Sequence, residues 1–137
     1  MNSIAGQPSL SRIAAFAATA GLAGIAVFQL ALALGAPWGR ASWGGAYAGV
    51  LPAELRIASA VAIGVWTLAL LLVLRRAGLG ATTLPNAAGR WGLWVLVGVL
   101  IVSTVMNTLS PSPWERFLWA PYSLVLAGLC AVVARSK

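Results

Sequence analysis

Polar residues in this chain punctuate long apolar runs. No residue from Ile13 to Leu34 is charged. As a helix that run is about 33 Å long at 1.5 Å per residue, which exceeds the ~30 Å hydrocarbon core of a bilayer. Three more runs follow: about 57–74, closed by Arg75-Arg76; about 91–109; and about 114–134, closed by Arg135-Ser136-Lys137. Helix breakers stand between them. Gly78, Gly80, Pro85 and Gly89 interrupt 77–90, and Ser110-Pro111-Ser112-Pro113 makes a tight connection. Ahead of the first run Ser11 is a suitable N-cap beside Arg12. The pattern predicts an all-α fold, a four-helix transmembrane bundle forming a single domain over 1–137. Ala31-Leu32-Ala33 resembles a signal-cleavage site. The apolar run is too long for a signal core of ~7–15 residues, so it is expected to stay as a span with nothing removed ahead of it. Pro121 removes a backbone bond inside the last run and predicts a kink there, which a bundle interior tolerates.

The segment 35–56, GAPWGRASWGGAYAGVLPAELR, breaks this rhythm, being neither an apolar span nor a short turn. It carries Trp38, Trp43 and Tyr47 alternating with Gly39, Gly44, Gly45 and Gly49. Glycines allow tight turns and close backbone approach, and a disordered tether has no use for three large rings. The expectation is a folded lid, re-entrant or not, over one mouth of the bundle, or a rigid aromatic docking surface for a partner. Tryptophans at other span ends, Trp91, Trp114 and Trp119, read as an interfacial belt.

Composition sharpens the class. The chain is 61% hydrophobic and 8% charged, against about 25% charged in soluble domains, so a soluble globule is excluded. The net charge of +7 does not imply nucleic acid, because the basic residues sit at the edges of apolar runs and form no patch or stripe. They read as topology determinants. With both ends inside, the inner side holds Arg12, Arg75, Arg76, Arg90, Arg135 and Lys137; the outer side holds Arg40, Arg56 and Arg116 with both glutamates. This asymmetry predicts an N-in/C-in protein of the plasma membrane, with the 35–56 loop extracytoplasmic.

There is no histidine, and Cys130 is the one cysteine. No disulfide within the chain, redox pair or His-ligated metal is available. Cys130, in an apolar run without a neighbouring base, reads as filler. The chain is expected to need no cofactor and no metal, and an enzyme is the least expected reading. It would have only Glu54, Glu115, Tyr122 and arginines to work with.

Small residues recur at four-residue spacing, as in Ala17/Gly21, Ala20/Gly24, Ala60/Gly64 and Ser123/Ala127/Ala131, which permits close helix packing. The halves also share a layout. Gln29 follows Arg12 by the interval at which Asn107 follows Arg90. The second and fourth helices both open on proline and glutamate: Pro52-Ala53-Glu54 and Pro113-Trp114-Glu115. Proline at the first helical position and a carboxylate in the first turn are sound start chemistry, and Ser112 to Glu115 fits a capping box. The match reads either as a duplication about an axis along the membrane normal or as start chemistry common to such helices.

The polar candidates collect at the outer end. Gln29 and Asn107 are amides inside apolar runs, and each would cost several kcal/mol if unpaired in hydrocarbon. They are expected to face the interior and to bond each other, a carbonyl or a bound molecule; as interhelical glue they would be worth only ~0.6 kcal/mol. Tyr122 could complete the same layer. Glu54 with Arg56, and Glu115 with Arg116, read as a charged gate or ligand clamp, or as helix caps and anchors. No acid lies deep in a span, which argues against proton-coupled exporters and sterol isomerases.

Gly35-Ala36-Pro37-Trp38-Gly39, Trp43-Gly44-Gly45, Leu51-Pro52 and Leu55-Arg56, with Glu115-Arg116 and Trp119-Ala120-Pro121, resemble a pattern of small four-helix bacterial membrane proteins of unassigned function. The resemblance implies a fold and a compartment and no activity. The functional expectation is a non-enzymatic membrane protein that binds a partner subunit, a membrane lipid or an apolar ligand in its outer half, as an accessory subunit or a homo-oligomer. The alternative of another class is a small transporter or channel, dimeric if the pore lies between protomers.

Overall fold

The computed structural model describes residues 8–136. Residues 1–7, part of the polar lead, and Lys137, counted above among the inner cations, lie outside the described residues.

The described chain is all-helical, with four long helices: α1 (Leu10–Ala33), α2 (Ala53–Arg76), α3 (Asn86–Leu109) and α4 (Ala120–Arg135). A π-helical turn, Glu115–Trp119, runs into α4. The candidate spans are 24, 24, 24 and 21 residues long and apolar enough to cross a membrane. Large apolar side chains such as Phe16, Val61, Val95, Val102 and Val125 face outward on all four. A helix surface of that kind is stable against lipid and not against water. The fold is that of a multi-pass membrane protein.

Helix boundaries follow local chemistry beyond the apolar runs. Ser9, and not Ser11, caps α1: its hydroxyl accepts the Arg12 N–H, and its carbonyl takes the Arg12 and Ile13 N–H groups. Prolines 52 and 85 stand just before α2 and α3, one position earlier than the expected first helical site for Pro52. Each offers its carbonyl to the first turn, to Leu55 and Arg56 in one case and to Ala88 and Gly89 in the other. α2 therefore begins ahead of the apolar run. The expected 77–90 linker shortens, and Gly89 is a buried helix residue instead of a loop residue. α1 and α2 both end in a left-handed glycine, Gly35 (φ +99°) and Gly78 (φ +68°). The next N–H reaches back to satisfy an end carbonyl, from Ala36 to Ala31 and from Leu79 to Leu74.

The kink expected at Pro121 takes the form of the wide turn before it. Proline has no N–H and its ring collides with the carbonyl four residues back. Winding the turn more loosely, with the Ala120 N–H on the Glu115 carbonyl, makes room for that ring.

The helices pack as a square, with extensive contact inside each hairpin, α1 with α2 and α3 with α4. α1 also packs on α4, and α2 on α3. Alternating direction puts the described ends of α1 and α4 and the α2–α3 turn at one end of the bundle, here the terminal end. The α1–α2 loop and the α3–α4 connection lie at the other, the loop end. The core is filled by Ala15, Ala18 and Leu22 of α1, Val73 of α2, Leu93 and Leu100 of α3, and Cys130 and Val133 of α4, all fully buried.

Close approach uses small residues at two seams. On α1, a Cβ at Gly21 would sit 2.6 Å from Leu126, and one at Gly24 would sit 2.8 Å from the Tyr122 hydroxyl. On α3, a Cβ at Gly92 would meet Leu72 at 3.0 Å, and one at Gly89 would meet Arg75 at the same distance. The Ala60/Gly64 pair takes no part: Ala60 and Gly64 are exposed, and nothing lies within 4 Å of a Cβ built at Gly64.

Candidate ligand site under the loop

The loop between α1 and α2 spans 34–52 and is folded on itself. The Gly39 N–H donates to the Gly49 carbonyl at 2.9 Å, closing it. A Cβ at Gly39 would lie 2.5 Å from the Tyr47 carbonyl oxygen and 2.6 Å from that of Gly49, so only glycine fits. Two short 3-10 turns follow, Gly39–Ala41 and Trp43–Gly45. Trp43, Gly44 and Gly45 are left-handed in succession, with φ +51°, +78° and +71°. For tryptophan that conformation costs about 1–3 kcal/mol unless its surroundings hold it.

Those surroundings are bonds from the loop to the rest of the protein. The Trp43 indole N–H donates to the Ser59 hydroxyl of α2 at 3.2 Å. The Gly44 N–H donates to Glu115 Oε1 at 3.0 Å. The Ser112 hydroxyl donates to the Arg40 carbonyl at 2.7 Å, and the Trp119 indole N–H to the Ala41 carbonyl at 2.9 Å. The loop is thus fastened to α2 on one side and to the start of the α4 span on the other. Glu115 is buried and central to this network, since its second oxygen accepts the Ser110 hydroxyl. The expected capping box is half built. Ser112 Oγ accepts the Glu115 N–H at 3.4 Å, while Ser110 Oγ, not the carboxylate, takes the Ser112 N–H.

Beneath the loop lies a cavity of about 690 Å³, bounded by all four helices. Ile25, Phe28 and Gln29 of α1 and Trp119 and Ser123 of the last span line it from one side. Ala62 and Trp66 of α2 and Ser103, Met106, Asn107 and Leu109 of α3 line it from the other. Ser42, Trp43 and Gly44 roof it, beside Glu115. Met106 and Leu109 are exposed on the bundle surface, so the space reaches the outside beside α3, on the side that faces α2. The cause is the uneven α2–α3 seam, whose glycine contacts are all near the terminal end. A second space of about 520 Å³ lies across Trp119, lined by Trp38, Arg40, Trp114 and Leu118 among others.

Of the ten candidate residues, the cavity gathers Gln29, Trp43, Asn107 and Glu115. Gln29 and Asn107 do not bond each other. Asn107 Nδ2 donates to Ser103 Oγ one turn back at 3.3 Å, and Ser103 Oγ lies 3.4 Å from Ser123 Oγ. Gln29 Oε1 is buried and has no partner among the described residues. Tyr122 sits deeper: its hydroxyl donates to the Gly21 carbonyl at 2.7 Å, and its ring meets Trp119 edge-on at 5.4 Å. Trp38 lines the second space, stacked on Phe28 at 6.1 Å. Tyr47 is exposed on the loop, and Glu54 is exposed in the first turn of α2. The arginines serve backbone ends: Arg56 Nε donates to the Ala33 carbonyl at 3.0 Å, and Arg116 Nη2 to that of Ser110 at 2.8 Å.

Several lining residues lay outside the sequence reading. Trp119, at a span end where the sequence predicts an interfacial belt, packs on Phe28 at 4.7 Å and walls both spaces. Ser110, which the sequence marks only as part of a turn, also lines the cavity. Ser103 had a usable signal, because it lies one helical turn from Asn107 on the stripe that continues through Leu100 and Leu93.

Comparison of the chain with protein-family models, with curated proteins and with solved structures finds no match. The site therefore stands on its geometry.

Proposed function

We propose that this is a non-enzymatic integral membrane protein that holds a membrane lipid or similar amphiphile in the cavity beneath its folded loop. The observation that carries the reading is that space of about 690 Å³, mostly apolar in its lining and roofed by a hydrogen-bonded loop. Ligand sites are commonly concave, apolar and about 300–1,000 Å³, with a few polar groups that orient the ligand. The opening beside α3 lets an acyl chain enter from the bilayer without crossing water.

In the same reading the protein lies in the plasma membrane with both termini cytoplasmic, so the site serves the outer leaflet. The exposed Trp38 and Tyr47 rings on the loop give a partner subunit, or a second copy, a rigid surface to dock on. The likeness of the loop to small four-helix bacterial membrane proteins belongs to this proposal and adds no activity to it. A transporter or channel fits less well, because buried apolar side chains close the terminal half from all four helices: Ala15 and Ala18, Val73, Leu93, and Cys130 and Val133.

Native mass spectrometry of protein extracted in mild detergent tests the binding. The wild type is expected to carry a lipid-sized adduct. Ala62→Trp, which fills the cavity from α2, is expected to lose the adduct and remain folded. A wild type free of adduct, and not stabilised by any added lipid, would sink the proposal.

A further inference from the structure

Resting on that reading, we infer that the cavity selects a neutral lipid alcohol, one whose head group donates a hydrogen bond to Gln29, over phospholipids.

Charge comes first. Among the described residues, the only ionisable side chain lining the cavity is Glu115, and no arginine lines it. The nearby cations lie outside the lining. Arg56 and Arg116 bond backbone carbonyls, and Arg40 lines the second space on the far side of Trp119. A phosphate placed under the loop would give up its water beside a carboxylate with no cation to offset it, an unfavourable exchange at low dielectric.

Hydrogen-bonding capacity decides the rest. Both Glu115 oxygens already accept bonds, from the Gly44 N–H and the Ser110 hydroxyl. Asn107 Nδ2 is used by Ser103. Among the described residues that line the cavity, Gln29 carries the buried side-chain oxygen left without a partner, Oε1. Buried acceptors are rarely left unpaired, and each that is costs stability. The missing partner is a donor, an O–H or N–H carried by the occupant. A hydroxyl-bearing lipid supplies it with no charge, and its chains leave past Trp66 and Met106 into the bilayer.

The test pairs dioleoylglycerol with dioleoylphosphatidic acid, which differ at the head group alone, in native mass spectrometry of delipidated wild type and Gln29→Leu. The wild type should retain dioleoylglycerol, and Gln29→Leu should retain it about five- to tenfold less, the effect of one buried hydrogen bond. Retention of phosphatidic acid, from whatever surface holds it, should not change with that substitution. The lipid-free variant should melt no lower than wild type, because leucine removes an orphaned polar atom and no bond. Equal retention of dioleoylglycerol by both proteins, or loss of phosphatidic acid in Gln29→Leu, would overturn the head-group assignment and leave lipid binding standing. A lower melting temperature for the lipid-free variant would overturn it too, by making Gln29 a structural residue. If the wild type held neither lipid and carried none on purification, the binding proposal would fall with it.

Discussion

At the terminal end of the bundle, α2 and α3 touch through Gly89 and Gly92, and Arg76 reaches across to donate to the Ala134 and Ser136 carbonyls. At the loop end the same two helices stand on either side of a cavity of about 690 Å³. One end is closed by small residues and apolar side chains, the other by a loop and a polar network. Packing in the first leaves nothing for a ligand to do. In the second, Glu115 bonds the loop and Ser110, Asn107 bonds Ser103, and Gln29 Oε1 is buried without a partner among the described residues. In a bilayer, where apolar burial drives helix association weakly, close packing has to hold the bundle. The terminal half can supply that, which frees the loop half to remain partly open. Substitutions at the two ends should therefore have different consequences.

The largest effect is expected at the packed end. Leu93 is fully buried, and Leu93→Ala should lower stability by about 2–5 kcal/mol through the cavity it leaves. Thermal unfolding in detergent measures this, and the loop should stay as resistant to protease as in the wild type until the bundle melts. A loss below about 1 kcal/mol would show that the terminal half is not what holds the helices together.

A smaller effect, confined to the loop, is expected from Gly39→Ala. The new methyl meets two carbonyl oxygens, and overpacking of this sort costs about 1–3 kcal/mol. The signature is fast proteolytic cutting within 34–52 with the melting of the helices little changed. Rapid cutting of the intact wild type would instead deny that the loop is folded. The smallest effect is expected from Glu115→Gln, which keeps the shape and weakens the bond to the Gly44 N–H from a charged to a neutral one, a difference of about 1 kcal/mol. Loop protection should fall modestly while the bundle keeps its melting temperature. A drop in stability as large as that of Leu93→Ala would mean the two ends are not separable.

Much of the scaffold was legible because lipid is an unforgiving solvent. An uncharged run as long as Ile13 to Leu34 has few alternatives to a spanning helix. The inward placement of Gln29 and Asn107 followed from the cost of an amide in hydrocarbon. The glycine-and-tryptophan segment was recognisable as an unusual loop. Its attachments were not, because they join positions far apart in the chain: Gly44 to Glu115, Ala41 to Trp119, Arg40 to Ser112. Glu115 and Arg116 were adjacent and looked like a pair, yet one braces the loop and the other bonds a backbone carbonyl.

From the sequence alone come the number of helices, their apolar character, the segment that departs from it and the few polar side chains that must turn inward. Each of these is a local balance between side chain and solvent, readable one window at a time. The tertiary structure decided that α2 and α3 close at one end and part at the other, that Trp119 separates two spaces, and that Gln29 keeps a buried oxygen on the cavity wall unpaired among the described residues. These depend on which helix faces meet, and at what distance, which no single segment encodes.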